Sequence, residues 1–134
     1  KEMQYNFKLM LEDRSIEVWA YNLETVMAEK LETVISRNIT NTRMRDFYDI
    51  HILLNLYGNM LDTKILGEAL QATARKRETE YHLKDAEKIF EEVQEDSGME
   101  KLWKVYQKKF SYAADISWKM VMESVRKLYC MSKK

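Results

Sequence analysis

The chain contains no proline, three glycines and one cysteine among its 134 residues. The scarcity of proline and glycine argues against a turn-rich β fold and favours long helices. The single cysteine, Cys130, excludes an intrachain disulfide and predicts a reducing, cytoplasmic location.

Neither sign of charge is in excess, because 22 basic residues balance 22 acidic ones. A net charge of zero gives no general attraction to nucleic acids or membrane surfaces, so any anion-binding site must be local. No apolar run approaches the roughly 20 residues that cross a bilayer, so we expect no contact with a membrane. The length suits a single domain over residues 1–134.

The first 21 residues follow a strand pattern. Apolar and polar residues alternate over 3–11 and again over 16–21, and the polar segment 12–15 between them predicts a β-hairpin. A lone hairpin is marginal in water, so we expect it to belong to the edge of a sheet that this chain does not contain. Its exposed edge would allow dimerisation. Because the pattern is under way by Met3, we expect a piece of a longer protein.

Residues 22–134 follow a helical pattern throughout. Apolar spacing and the capping residues Asn22 and Asp62 predict a bundle of about six helices, over 22–37, 43–57, 62–77, 83–95, 100–110 and 114–131. Trp103 and Trp118 fall on helical stripes, so we expect them in the core. The predicted fold class is therefore mainly α, with an N-terminal β-hairpin followed by a helical domain.

Two cations interrupt the apolar stripe of the first helix. At about 100° per residue, Lys30 and Arg37 fall among Leu23, Val26 and Val34. Long basic side chains often cover apolar surface while their charged ends reach water. The alternative is a cleft in which they meet an anion, because an unpaired buried cation is costly.

Acidic residues follow on the next helix, in the segment Arg43-Met44-Arg45-Asp46-Phe47-Tyr48-Asp49. Asp46 and Asp49 are three residues apart, so they share one side of that helix. Arg45 and Asp49 have the spacing of a surface ion pair, which contributes at most about 1 kcal/mol. The apolar residues around these carboxylates favour a partly buried site facing Lys30 instead.

These two segments resemble motifs of the AbiEii/AbiGii nucleotidyltransferase-like toxins, which act in abortive phage infection and type IV toxin–antitoxin systems. Residues 23–31 with Arg37 are similar to the family's third motif, approximately L-x-x-E-K-L followed by an arginine. Residues 43–50 are similar to the fourth, approximately R-x-K-D-x-x-D-L. The resemblance is specific over about residues 16–54 and general beyond them.

The resemblance implies roles for particular residues. Lys30 would contact nucleotide phosphates and Asp46 would be needed for activity, with Asp49 beside it. Arg37, Arg43 and Arg45 would support nucleotide binding. Two departures are Asn22, where proline is frequent, and Arg45, where lysine is usual; the second alters the geometry of the contact.

The resemblance also implies what this chain lacks. Family members carry an N-terminal core with a Gly-Ser or Gly-Thr motif and metal-binding aspartates, and no such motif occurs here. We therefore expect the C-terminal portion of such a toxin, inactive by itself. The full protein would use an NTP and Mg²⁺, neither bound tightly here, with RNA as an acceptor and a cognate antitoxin as partner.

Two other classes of function stay open. The helical domain would also suit a non-catalytic protein-interaction module. Arg45 with His51, and Arg77 with His82, have spacings found in the helical HEPN ribonucleases, although such spacings arise easily by chance. No cysteine and histidine set has metal-ligand spacing, so we predict no metal ligands.

Overall fold

The structure is a computed structural model that describes residues 22–134, and within them the fold is mainly helical. The predicted hairpin lies outside the described residues. Seven α-helices follow one another in residues 22–134: α1 (Leu23–Arg37), α2 (Met44–Tyr57), α3 (Thr63–Arg77), α4 (Glu80–Leu83), α5 (Ala86–Glu95), α6 (Ser97–Lys109) and α7 (Trp118–Ser132). No helix in this range is long and apolar enough to cross a membrane.

Side-chain caps start the helices that carry the site. The Asn22 side chain accepts a hydrogen bond from the Thr25 amide at 3.1 Å, and Asp62 accepts from the amides of Lys64 and Ile65. Both caps were predicted and both are confirmed, because these side chains satisfy amides that lack a partner within the helix. The buried Glu24 carboxylate also accepts from the Asp62 amide at 2.7 Å, which fixes the start of α3 beside α1.

The helices enclose one hydrophobic core. Helix α1 packs along α3, and α7 packs against α2, α3 and α5. Trp103 and Trp118 are buried, as their helical spacing predicted. Helices α3 and α7 approach so closely that a Cβ at Gly67 would lie 2.4 Å from the Ser132 carbonyl oxygen. This contact requires glycine at position 67.

Three helix boundaries differ from the prediction. Helix α6 begins at Ser97 and not at residue 100, because the Asp96 side chain caps it by accepting from the Met99 amide at 2.9 Å. Leu83 ends the one-turn helix α4 instead of starting the next helix, which begins at Ala86. The last helix begins at Trp118 and not at Ala114, because the Ser117 hydroxyl caps it by accepting from the Met120 amide at 3.1 Å. One helix more than the predicted six therefore lies in the described residues.

Candidate functional site

A cleft of about 460 Å³ opens between the second half of α1, the start of α2 and the end of α3. Four of the six predicted site residues line it, namely Lys30, Arg37, Arg43 and Asp46. The two helices that carry the matching sequence segments therefore bring most of the predicted residues to one place.

Lys30 lies at the base of this cleft. Its side chain is 11% exposed, and its Nζ lies 2.9 Å from the Asp49 Oδ2 and 3.8 Å from the Asp46 Oδ1. The expectation that an anionic group meets this lysine is confirmed. An ammonium has three donors, so the close contact with Asp49 leaves capacity for a ligand.

Helix α2 sets the two carboxylates at different depths. Asp49 is fully buried beneath Lys30, whereas Asp46 reaches the cleft wall in the first turn of the helix. The Asn41 side chain accepts a hydrogen bond from the Arg43 amide at 3.1 Å and holds the chain that enters this turn. Asp46 is thus the carboxylate that a ligand in the cleft would meet.

Arg37 and Arg43 are exposed at the mouth of the cleft. The prediction that Arg37 lies within the buried stripe of α1 is wrong, because Arg37 is the last residue of the helix. Asn38 follows it with a positive φ of 54° and turns the chain away. Helical angle alone placed Arg37 on the apolar side, but at the C-terminal end of α1 this residue is exposed.

Arg77 also lines the cleft, and sequence reasoning did not assign it to the site. Its Nη1 donates to the Glu32 Oε1 at 2.6 Å and to the Thr33 Oγ1 at 3.1 Å. Glu32 is 1% exposed and also accepts from the Thr79 hydroxyl. Glu32 has no cation three or four residues away in the sequence. Its lack of a local partner was the one signal that a distant cation, here Arg77, would pair with it.

Asp49 also lies close to a cluster of tyrosines. Burial is the main reason why the pKa values of Tyr48 and Tyr106 lie above the ordinary value for tyrosine, and contacts with Tyr112 and the charge of Asp49 raise them further. These phenols therefore stay protonated at neutral pH. The tyrosine cluster is therefore a set of neutral, polar side chains near Asp49 that does not line the cleft.

Arg45, like Asp49, is a predicted site residue that does not line the cleft. It lines a separate surface groove with Arg43 and residues of α6, including Tyr106 and Lys109. His51 faces α7 instead, where its Nδ1 lies 2.7 Å from the Ser124 Oγ. Arg45 and His51 therefore line different surfaces, in accord with their separation on a continuous helix.

The described residues do not fit a resident metal ion. No group of three or more histidine, cysteine, aspartate or glutamate side chains within residues 22–134 is arranged to hold one. In the cleft, Glu32 is already engaged by Arg77 and Thr79.

These features define a helical protein whose cleft combines clustered cations with carboxylates, an arrangement suited to binding a charged ligand. A family model described as nucleotidyl transferase AbiEii toxin, type IV toxin–antitoxin system, matches residues 2–124. The chain belongs to this family. No curated protein and no solved structure matches the chain.

Proposed function

We propose that the cleft binds the phosphates of a nucleoside triphosphate, supplied as its magnesium complex, for nucleotidyl transfer. The observation that carries the proposal is the position of Lys30, nearly buried at the base of a cleft whose mouth carries Arg37 and Arg43. Lysine supplies a point charge to phosphate and arginine a two-pronged donor. Membership of a nucleotidyltransferase toxin family supports the same reaction.

The charges in the cleft indicate different roles for its cations. Lys30 is largely neutralised by Asp49, so its role is a directed hydrogen bond more than a net attraction. Arg37 and Arg43 are exposed, and no ion pair is recorded for either within residues 22–134. They would supply the electrostatic attraction for a polyanion.

Asp46 would act beside the bound phosphates. Its carboxylate lines the cleft 3.8 Å from the Lys30 Nζ, where it can orient the ammonium and accept a proton or a hydrogen bond from an approaching acceptor. Nucleotidyl transfer also needs metal ions that neutralise developing phosphate charge. We therefore propose that the 134-residue chain alone binds nucleotide but does not transfer it.

The partners follow from the kind of system to which the family belongs. A type IV toxin–antitoxin system implies an antitoxin that counteracts the toxin. We propose RNA as the acceptor of the transferred nucleotide. Neither partner has a surface assigned to it in the described residues.

The test is nucleotide binding by calorimetry in the presence of magnesium. We expect Lys30→Ala and Arg43→Ala each to weaken NTP binding by at least about tenfold, the effect of one lost charged hydrogen bond. Arg43 is exposed, so its variant tests the proposal even if the Lys30 variant unfolds. Lys119→Ala removes the same charge from an exposed position on α7 and should leave binding unchanged.

Equal affinity of wild type, Lys30→Ala and Arg43→Ala would remove the cleft from the nucleotide site. Cleavage of RNA by the purified chain, abolished by His51→Ala, would instead favour a ribonuclease.

A further inference from the structure

The lining of the cleft is polar throughout. Nine residues line it, and each carries a charge or a hydroxyl group. Besides the four cations, Asp46 and Glu32, the lining consists of Glu29, Thr33 and Ser36. No aliphatic or aromatic side chain from residues 22–134 lines this cleft.

A nucleobase needs a different kind of surface. Bases bind proteins largely through stacking on aromatic rings and packing on apolar side chains, with a few polar groups for orientation. In the described part of the chain, ring contacts join Tyr48, Tyr106, Phe110 and Tyr112 on the far side of α2, towards α6. The cleft itself offers hydrogen bonds and charge, which suit the phosphates of a nucleotide.

Arg77 is held in place to donate to such a ligand. Both recorded contacts of its guanidinium within residues 22–134 use Nη1, which leaves Nε and Nη2 for another acceptor. The Arg77 side chain is 42% exposed, while the Glu32 that anchors it is 1% exposed. A planar, anchored guanidinium is already oriented for two-pronged contact with phosphate.

We infer that this cleft recognises the phosphate chain of its ligand and does not read the base, with Arg77 as an additional phosphate-binding residue. The inference rests on the proposed function, since it specifies which part of the nucleotide occupies the cleft. Inorganic tripolyphosphate is then a complete ligand for the cleft. Any preference of the toxin for one base then comes from residues outside the cleft lining.

The experiment compares tripolyphosphate, ATP, GTP, CTP, UTP and adenosine as ligands of the 134-residue chain, by calorimetry in magnesium. We expect the five phosphate compounds to bind within about threefold of one another, because they share the contacts that matter. Adenosine should not bind. Arg77→Ala should weaken all five by a similar factor of about ten, and Lys119→Ala should weaken none.

The outcomes separate this inference from the proposed function. If one NTP binds at least tenfold more tightly than tripolyphosphate, the base contributes to binding. The inference then fails, while the proposed function stands. If no phosphate compound binds, the proposed function fails as well. Because Arg77→Ala leaves Glu32 without its cation, Arg77→Lys serves as a second variant, and retained affinity in both would overturn the role of Arg77.

Discussion

Helix α2 carries polar side chains on two sides, a fully buried aspartate on one and a partly buried histidine on the other, and their contacts differ in charge. Towards α1, Asp49 pairs with Lys30 at 2.9 Å, and both groups carry charge. Towards α7, His51 meets Ser124 at 2.7 Å between Nδ1 and Oγ, and burial lowers the pKa of His51 so that the neutral form is favoured. One helix thus holds an ion pair beside a cleft and a neutral pair between packed helices.

The difference indicates which contact serves the fold and which serves a ligand. A neutral hydrogen bond satisfies two buried groups at little cost. A buried ion pair is a poor source of stability, because desolvation of both charges offsets their attraction. The Lys30–Asp49 pair at the base of an open cleft is therefore better explained by a ligand than by packing.

The largest expected effect comes from breaking the ion pair. Asp49→Ala leaves Lys30, which is 11% exposed, with the more distant Asp46 as its one recorded carboxylate among residues 22–134, so we expect a loss of about 3 kcal/mol in the free energy of unfolding. Urea unfolding measures it. Asp115→Ala removes an exposed carboxylate and should cost less than about 0.5 kcal/mol.

The double variant Lys30→Met with Asp49→Leu tests whether the ion pair serves the fold or a ligand. It removes both charges, so we expect it to recover most of the stability lost in Asp49→Ala. It should still lose nucleotide affinity. A double variant that is as unstable as Asp49→Ala would show that the pair is a structural requirement.

A smaller effect is expected on the neutral side of α2. Ser124→Ala removes the closer of two partners of the His51 Nδ1, the other being the Asn55 Nδ2, and should cost about 1 kcal/mol of unfolding free energy. Nucleotide affinity should not change, since His51 lies on the side of α2 that faces α7, and Ser124 belongs to α7. Weaker nucleotide binding in this variant would contradict the division between the two sides.

The smallest effect concerns pH. The pKa of folded His51 is below its unfolded value near 6.5, so the unfolded chain binds more protons as the pH falls. The contribution of His51 is therefore complete above that pH and is lost as the pH falls below it. We expect His51→Gln to show a smaller drop in unfolding free energy between about pH 7.5 and pH 5.5 than wild type. An equal drop would remove His51 from this dependence.

Local signals were sufficient for much of the fold and part of the site. The caps at Asn22 and Asp62 and the pairing of Lys30 with α2 follow from spacing and burial cost. The start of α7 at Trp118 has a local signal in the Ser117 cap, and a tertiary contact adds to it, since the Ile116 carbonyl accepts a hydrogen bond from the Trp103 indole. Arg77 lies 45 residues after Glu32 in the sequence, so no local pattern predicts the contact between them.

Amide chemical-shift mapping of the 134-residue chain with tripolyphosphate tests the central claim most directly, because it locates the ligand. We predict shifts concentrated at Lys30–Arg37 on α1 and at the start of α2, with α7 unaffected. Shifts concentrated on α7 around Ser124, or no shifts at about 10 mM tripolyphosphate, would contradict the assignment of this cleft to phosphate binding.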